Sequence, residues 1–368
     1  MTPEPKPGIL DISPYVGGRA TLAGVSEVIK LSSNESPFGP GPKALEALAR
    51  AAQGAGIYPE GSASMLREAI AEVYGLDPAR IVASGDGSDS ILTMLANAYL
   101  REGDEALFAE NSFMVYKIAT LANSAVPVEA PQKNRAVDVD ALLARVTPRT
   151  KLVFVANPDN PTGSYLNSAE MARLHAGLPK TALLVIDAAY SEYVMKPDYD
   201  PGTDLVTASS NVVMTRTFSK IHGLAGLRIG WCYAPASVCD VLNRIRGPFN
   251  VAMLQQYVGA AAIRDTAHVE KSAAHNEKWK NWLIDEIRKT GLTVDDSVAN
   301  FILIHFPKKL GHNRGDKSAA AADAFLGQRG MILRALTNYG FPDALRLTIG
   351  SEAANRKVAA AIRDFMEQ

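Results

Sequence analysis

The stretch TRTFSKIHGLAGLRIG, Thr215 to Gly230, lies between two apolar runs, NVVMTRT (Asn211 to Thr217) and IGWCYA (Ile229 to Ala234). Each run reads as a strand, so the polar residues between them form a loop held at a strand end. The loop carries Lys220, the hydroxyls of Thr217 and Ser219, the glycines Gly223 and Gly226, and Arg228. A lysine amine is a nucleophile toward a carbonyl, and hydroxyls with a guanidinium suit a phosphate. A Ser-Lys pair in a loop is ordinarily solvated surface. What gives this one weight is a series of polar clusters upstream, each closing an apolar run.

Working back along the chain, ALLVIDAAY (Ala182 to Tyr190) places Asp187 at the end of a strongly apolar strand, with Tyr190 three residues on. A carboxylate there is costly unless it meets a cation or a donor, so a partner is expected. KLVFVA (Lys151 to Ala156) runs into ANPDNPTG, a turn of prolines and glycine that presents Asn160. IVASGDGSDSILTMLANAYL (Ile81 to Leu100) reads as strand, small-residue turn and helix. Gly85, Gly87, Ser88 and Asp89 fall at the helix start, where backbone N–H groups and the helix dipole favour a phosphate, or where Ser88 or Asp89 simply caps the helix. Short apolar runs alternating with helical segments imply a mostly parallel sheet covered on both faces, and in such sheets ligands bind at the carboxyl ends of the strands.

Nearer the N-terminus, residues 1 to about 30 are rich in Pro and Gly, and read as an extended arm in which Tyr15 and Arg19 carry recognition value. KLSSNESPFGP brings Asn34 to a turn, followed by a helix with Leu45 and Leu48 on its apolar side. Tyr58-Pro59 then precedes a helix for which Ser62 or Ser64 is the expected cap. Toward the C-terminus, residues 236 to 246 read as a helix. A long helical region runs to about Lys289, followed by a small α+β unit with Arg334 and Arg346 in its strands. The expected division is an N-terminal segment (1–35), a large domain (36–250) and an interdomain helix with a small domain (251–368).

Composition closes off several classes of function. The 368 residues hold 38 Lys and Arg against 39 Asp and Glu, for a net charge of −1. No nucleic-acid or membrane-surface partner is expected from such a balance. Two cysteines, Cys232 and Cys239, cannot build a disulfide framework, and six scattered histidines give no metal-ligand spacing, so no metal is expected. The first residues lack the basic and apolar blocks of a signal peptide, and no run approaches the length of a membrane span, so a cytoplasmic protein is expected. The Gly85 to Ser88 turn lacks the GxGxxG spacing of a dinucleotide fold.

A reactive lysine, an acid for a pyridinium nitrogen, donors for a phenolic oxygen and a phosphate cradle are together what pyridoxal 5'-phosphate requires. KLSSNESPFGP, YPEG, GDGSDS, ANPDNPTG, DAAYSEY, TFSK with GLRIG, and ALRLTIGSEAAN occur in one order along the chain. In this the sequence resembles the fold-type I aminotransferases of the aspartate aminotransferase superfamily, and among them the histidinol-phosphate aminotransferases. The resemblance implies an α/β large domain with a mostly parallel sheet and a smaller α+β domain, a pyridoxal phosphate cofactor, and a homodimer with shared active sites. It implies a reaction between histidinol phosphate and 2-oxoglutarate, giving imidazole-acetol phosphate and glutamate. Aromatic amino-acid transamination stands as the alternative, with a phosphothreonine-type decarboxylase behind it.

Carried over by position, the resemblance makes Lys220 the Schiff-base lysine and Asp187 the partner of the ring nitrogen, with Tyr190 and Asn160 as donors to the ring oxygen. Thr217, Ser219 and Arg228 would hold the phosphate with the N–H groups of Gly87, Ser88 and Asp89. Phe113 would stack on the ring, and Tyr58 would reach the neighbouring subunit's cofactor. Arg346 would bind the substrate anion, with Arg334, Asn34 and Tyr15 completing the pocket. Ser90, Asp86, His222 and the NSF turn at Asn111 to Phe113 depart from the family pattern and bear on substrate preference.

Overall fold

The computed structural model of the chain describes residues 3–24, 27–307 and 316–368. It begins with β1 (Ile29–Lys30), α1 (Pro42–Ala51) and α2 (Ser64–Tyr74). Alternating units follow: β2 (Ile81–Ser84), α3 (Gly87–Tyr99), β3 (Glu105–Ala109), α4 (Val115–Leu121), β4 (Val126–Ala130), α5 (Val139–Leu143), β5 (Thr150–Ala156) and α6 (Ser168–Gly177). Then come β6 (Leu183–Asp187), α7 (Thr203–Ala208), β7 (Val212–Thr217), β8 (Gly230–Tyr233) and α8 (Ala236–Ile245). The remainder is α9 (Met253–Ile263), α10 (Thr266–Arg288), β9 (Thr293–Val294), β10 (Phe301–His305), α11 (Ala319–Gln328), β11 (Met331–Ile332), β12 (Arg334–Leu336), β13 (Phe341–Thr348) and α12 (Glu352–Glu367).

Seven strands form one sheet in the order β2-β8-β7-β6-β5-β3-β4. All its neighbours are parallel except at β8, which runs antiparallel to β2 and β7. This is the α/β sheet the alternation implied. Its strands are continuous apolar runs because both faces are buried. Along β5, Leu152, Phe154 and Ala156 enter one core while Val153 and Val155 enter the other. β6 repeats the pattern, with Leu183 and Val185 on one side and Leu184 and Ile186 on the other. Each such side chain contributes about 1.5–3 kcal/mol on burial.

A second sheet, β12-β13-β10-β9, is antiparallel and packs Ile302, Ile304, Leu345 and Leu347 against Leu283 and Ile287 of α10 and Val358 and Ile362 of α12. β1 pairs in parallel with β11, so the N-terminal segment joins this smaller unit. Among the described residues upstream of β1, the chain lies on the surface as an arm. Arg19 pairs with Asp323, and Val16 accepts a hydrogen bond from Arg334.

Three local expectations are corrected. Neither Ser62 nor Ser64 caps α2: Glu60 accepts from the N–H groups of both, at 2.7 and 2.9 Å, and Ala63 before the helix is left-handed at φ 53°. The longer carboxylate reaches two donors at once, which a hydroxyl on the turn does not. On α1 the buried residues are Ala44, Ala47 and Ala51; Leu48 packs against the same core as expected, and Leu45 is half exposed instead. The long helical region breaks at Arg264–Asp265, and α9 joins the core of the large sheet through Val258, Ala260, Ala262 and Ile263. Only α10 reaches across to the small sheet.

Candidate active site

Parallel register brings the ends of three strands level: Ala156 of β5 lies beside Asp187 of β6, and Asp187 beside Thr215 of β7. Beyond them a cavity of about 250 Å³ opens between the two sheets. Tyr15, Asn34, Ser88, Asp89, Phe113, Asn160, Asp187, Tyr190, Thr217, Ser219, Lys220, Arg228, Arg334 and Arg346 all line it. Gly87 and Tyr58 do not.

Asp187 is buried at the floor and accepts from Tyr116 Oη at 3.0 Å and Thr215 Oγ1 at 3.2 Å. Burial pushes its carboxyl up to about 6, against the pull of the Tyr116 hydrogen bond. Among the described residues no cation bonds to it, so the floor of the cavity is set to receive a protonated nitrogen.

Lys220 stands above, its Nζ 5.5 Å from the centre of the Tyr190 ring. Phe218 and Ile221, both fully buried, anchor its loop on either side. The loop is closed by bonds from Phe218 N to Ile229 O and from Gly223 N to Lys220 O, each 3.0 Å. His222 points the other way: it is buried against Phe218, its Nε2 is 3.9 Å from Glu192, and burial pushes its pKa down to about 4. This departure from the family pattern therefore does not reach the cavity.

The opposite end is cationic and rich in donors. Arg228, left-handed at φ 54°, donates to Ser219 Oγ at 3.2 Å and pairs with Asp89 at 3.2 Å and with the exposed Asp86 at 3.5 Å. Burial raises the Asp89 pKa, against the pull of Arg228. No side chain caps α3, so its first N–H groups face the cavity. One of the three expected donors is corrected: Gly87 N–H is committed to the Arg228 carbonyl at 3.0 Å, leaving Ser88 and Asp89. Gly87 serves by its missing side chain, since a Cβ would sit 2.7 Å from Arg228 Nη2. Gly230 is needed likewise, because a Cβ there would meet the Gly87 backbone at 2.2 Å.

Arg346 enters from β13. It is 6% exposed, donates to Asn160 Oδ1 at 2.5 Å and to the Ser32 carbonyl at 2.9 Å, and leaves Nε without a partner. Burial lowers its pKa, and among the described residues no carboxylate pairs with it. A buried, unneutralised guanidinium with an orphan donor is a receptor for an anion. Arg334 lies on the neighbouring strand at the register partner of Arg346 and donates to the Val16 carbonyl at 2.8 Å. Tyr15 stands half exposed at the mouth.

Sequence reading missed Tyr116, Thr215 and Thr348. Thr215 was within reach, two residues before Thr217 on the same strand face. Tyr116 follows Phe113 by one helical turn and gave no sign of reaching Asp187, 71 positions away. Tyr58 lies outside the cavity, 80% exposed and stacked on Phe249 at 4.8 Å.

The chain matches the family described as aminotransferase class I and II over residues 26–362. It is 57% identical over 367 residues to the histidinol-phosphate aminotransferase of Nitrobacter hamburgensis, covering 100% of this chain and 99% of the relative. It is 56% identical to that of Rhodopseudomonas palustris, with the same coverage. A crystal structure of histidinol-phosphate aminotransferase from Sinorhizobium meliloti in complex with pyridoxal-5'-phosphate superposes with a TM-score of 0.85 at 25% identity, covering 98% of this chain and 96% of that one. Aspartate aminotransferase from Thermus thermophilus shares the fold, with a TM-score of 0.78 at 21% identity over 92% of each chain.

Proposed function

Since this chain belongs to the class I and II aminotransferases, we propose that it exchanges an amino group between L-histidinol phosphate and 2-oxoglutarate, giving imidazole-acetol phosphate and L-glutamate, a step of histidine biosynthesis. The cofactor is pyridoxal 5'-phosphate. The observation that carries the substrate reading is Arg346, a buried cation without a counter-ion among the described residues, in the same cavity as Lys220 and Asp187. A planar fork accepts a carboxylate or a phosphate equally, so one site serves both glutamate and a phosphorylated amine.

The residues present fit the cofactor: a buried carboxylate that lacks a cation, a lysine beside it, and an uncapped helix end with an arginine opposite. When bound, the cofactor supplies an aldehyde to receive the amine and a ring that accepts the charge released at the substrate's α-carbon. Lys220 Nζ would hold the cofactor and is the group placed to take up the α-proton. Asp187 pairs with the ring nitrogen. Asn160 already spends Oδ1 on Arg346, so its Nδ2 would be the group to meet the ring oxygen, together with the Tyr190 hydroxyl. Phe113, in the lining, would cover one ring face. Thr217, Ser219, Arg228 and the N–H groups of Ser88 and Asp89 hold the phosphate, while Tyr15, Arg334 and Arg346 shape the substrate pocket.

We further propose a homodimer that shares its active sites. Leu45, Ile57, Tyr58, Met65, Phe249 and Tyr257 are all substantially exposed around α1, α2 and α9, an apolar surface suited to a second copy. Tyr58 crosses to the partner's phosphate site. The division into domains is proposed with α9 placed in the large domain. A cytoplasmic location is proposed because a phosphorylated substrate does not cross a membrane unaided. No helix among the described residues is long and apolar enough to span one.

The test is to follow the visible absorbance of the cofactor-loaded protein while histidinol phosphate is added, with phenylalanine in parallel. The amino form of the cofactor should accumulate at far lower histidinol phosphate. Accumulation at lower phenylalanine would overturn the substrate assignment and leave the cofactor residues standing.

A further inference from the structure

Asn34 lines the cavity, and all four of its hydrogen-bonding groups are engaged by protein partners. It is buried at the junction of the N-terminal segment and the small sheet, with left-handed backbone at φ 57°. Its N–H donates to Thr348 Oγ1 at 2.9 Å, and its carbonyl accepts from Asn300 Nδ2 at 2.9 Å. The Thr348 hydroxyl donates to Asn34 Oδ1 at 3.0 Å, and Asn34 Nδ2 donates to the Tyr190 hydroxyl at 2.9 Å.

In this arrangement each bond has one direction. Thr348 Oγ1 accepts the Asn34 N–H and gives its own proton to the amide oxygen, so donor and acceptor on both residues are satisfied together. The amide nitrogen is therefore turned to Tyr190, and an amide N–H can only donate. Tyr190 must accept there, and its own single proton is left for a different acceptor. Lys220 Nζ lies 5.5 Å from its ring and Arg346 lines the same cavity, and among the described residues the Tyr190 hydroxyl donates to no acceptor. Thr348 also lies two residues beyond Arg346 on β13, on the same strand face.

We propose that Thr348 and Asn34 are positioning residues: a hydrogen-bond relay that obliges Tyr190 to donate its proton to the cofactor's ring oxygen and ties that orientation to the strand carrying Arg346. The inference rests on the reading that Tyr190 faces the ring oxygen. A donor to a charged oxygen stabilises its deprotonated form and holds the cofactor's titration down; a donor that is no longer aimed lets it rise.

The test is a pH titration of the visible absorbance of the cofactor-loaded enzyme for Tyr190→Phe, Thr348→Val, Thr348→Ser and Asn34→Gly. Glycine adopts the left-handed backbone without strain, so Asn34→Gly removes the relay and keeps the chain path. Thr348→Val and Asn34→Gly should each raise the midpoint by about one pH unit, the equivalent of weakening one hydrogen bond to a charged group. Tyr190→Phe should raise it at least as far, and Thr348→Ser should restore the wild-type value. With histidinol phosphate, Asn34→Gly should lower kcat and leave KM nearly unchanged. If Tyr190→Phe shifts the midpoint while Thr348→Val and Asn34→Gly do not, the relay is wrong. A rise in KM alone for Asn34→Gly would return Asn34 to the substrate pocket. An unmoved midpoint in Tyr190→Phe would overturn the placement of Tyr190 itself, and the relay with it.

Discussion

Tyr116 donates its hydroxyl proton to Asp187 Oδ2 across 3.0 Å, from a ring stacked on Phe154 at 4.9 Å and set edge-on to Phe113 at 5.8 Å. One buried side chain thus joins the carboxylate at the cavity floor to the aromatic over the cavity. Burial holds the hydroxyl in its protonated form at every working pH, so it acts only as a donor to Asp187.

Tyr116→Phe removes that donor and leaves Asp187 Oδ2 without a partner. The hydrogen bond lowers the Asp187 pKa, so its loss raises a value that already stands at about 6. Cofactor affinity should fall about 5- to 10-fold at neutral pH, as expected for one hydrogen bond to a charged group. The ionised carboxylate is the form that pairs with a ring nitrogen, so the deficit should widen as pH falls from about 8 toward 6. Equilibrium dialysis with the cofactor across that range measures both effects; an undiminished affinity at the acid end would refute them.

Arg346 is the anion receptor for two unlike substrates, so Arg346→Ala should raise KM for glutamate and for histidinol phosphate alike. The expected factor is about 10- to 100-fold for each, the value of a charged hydrogen bond. Initial-rate kinetics with each substrate varied in turn decides it. Neither KM moving would remove Arg346 from the substrate pocket.

Lys220→Ala should abolish the borohydride-trapped cofactor adduct and cut kcat by about 10²–10⁴ through loss of the general base. Mass spectrometry of the reduced protein detects the adduct. The same adduct persisting in the variant would assign the chemistry to another lysine.

The homodimer reading makes a prediction that no single chain can fulfil. Tyr58→Ala should weaken activity although Tyr58 lies outside its own chain's cavity. Mixing Tyr58→Ala with the inactive Lys220→Ala should then restore one intact site per mixed dimer, with Lys220 from one chain and Tyr58 from the other. Activity of the mixture staying at the average of the two separate variants would show that Tyr58 does not cross.

Asp159 gives the protein a pH-dependent cost. It is fully buried in the turn that presents Asn160, accepting from Ser112 Oγ at 3.0 Å, Thr162 Oγ1 at 2.8 Å and Gln132 Nε2 at 3.3 Å. Burial pushes its carboxyl up to about 6. From the unfolded value of about 4 up to that point the folded chain binds more protons than the unfolded one, so this group's contribution to stability falls as pH rises. Asp159→Asn removes the titration, and Gln132, whose Oε1 is unpartnered, can turn to accept from the new amide. The variant's stability relative to wild type should therefore improve between about pH 4.5 and 7, by up to about 3 kcal/mol for two pKa units. Urea unfolding of the cofactor-free proteins measures it, and a difference constant with pH would exclude the mechanism.

The sequence by itself determined what repeats at short range. Doubly buried strands are continuous apolar runs, so the α/β order could be read. Asp187, Asn160 and Lys220 could be placed because each directly follows such a run, and the carboxyl ends of parallel strands lie side by side. Arg346 was legible as a charge inside an apolar strand. The tertiary structure alone decided what depends on partners remote in the chain. Leu45 faces outward because α1 turns Ala44, Ala47 and Ala51 inward, and the Gly87 N–H is spent on Arg228, 141 positions on. Asn34 turns its amide nitrogen to Tyr190 while Thr348 and Asn300, from the far end of the chain, take up its other groups. Hydrogen bonds are directional and saturable. A residue type names the donors it owns, and only the folded neighbours determine which of them remain to be used.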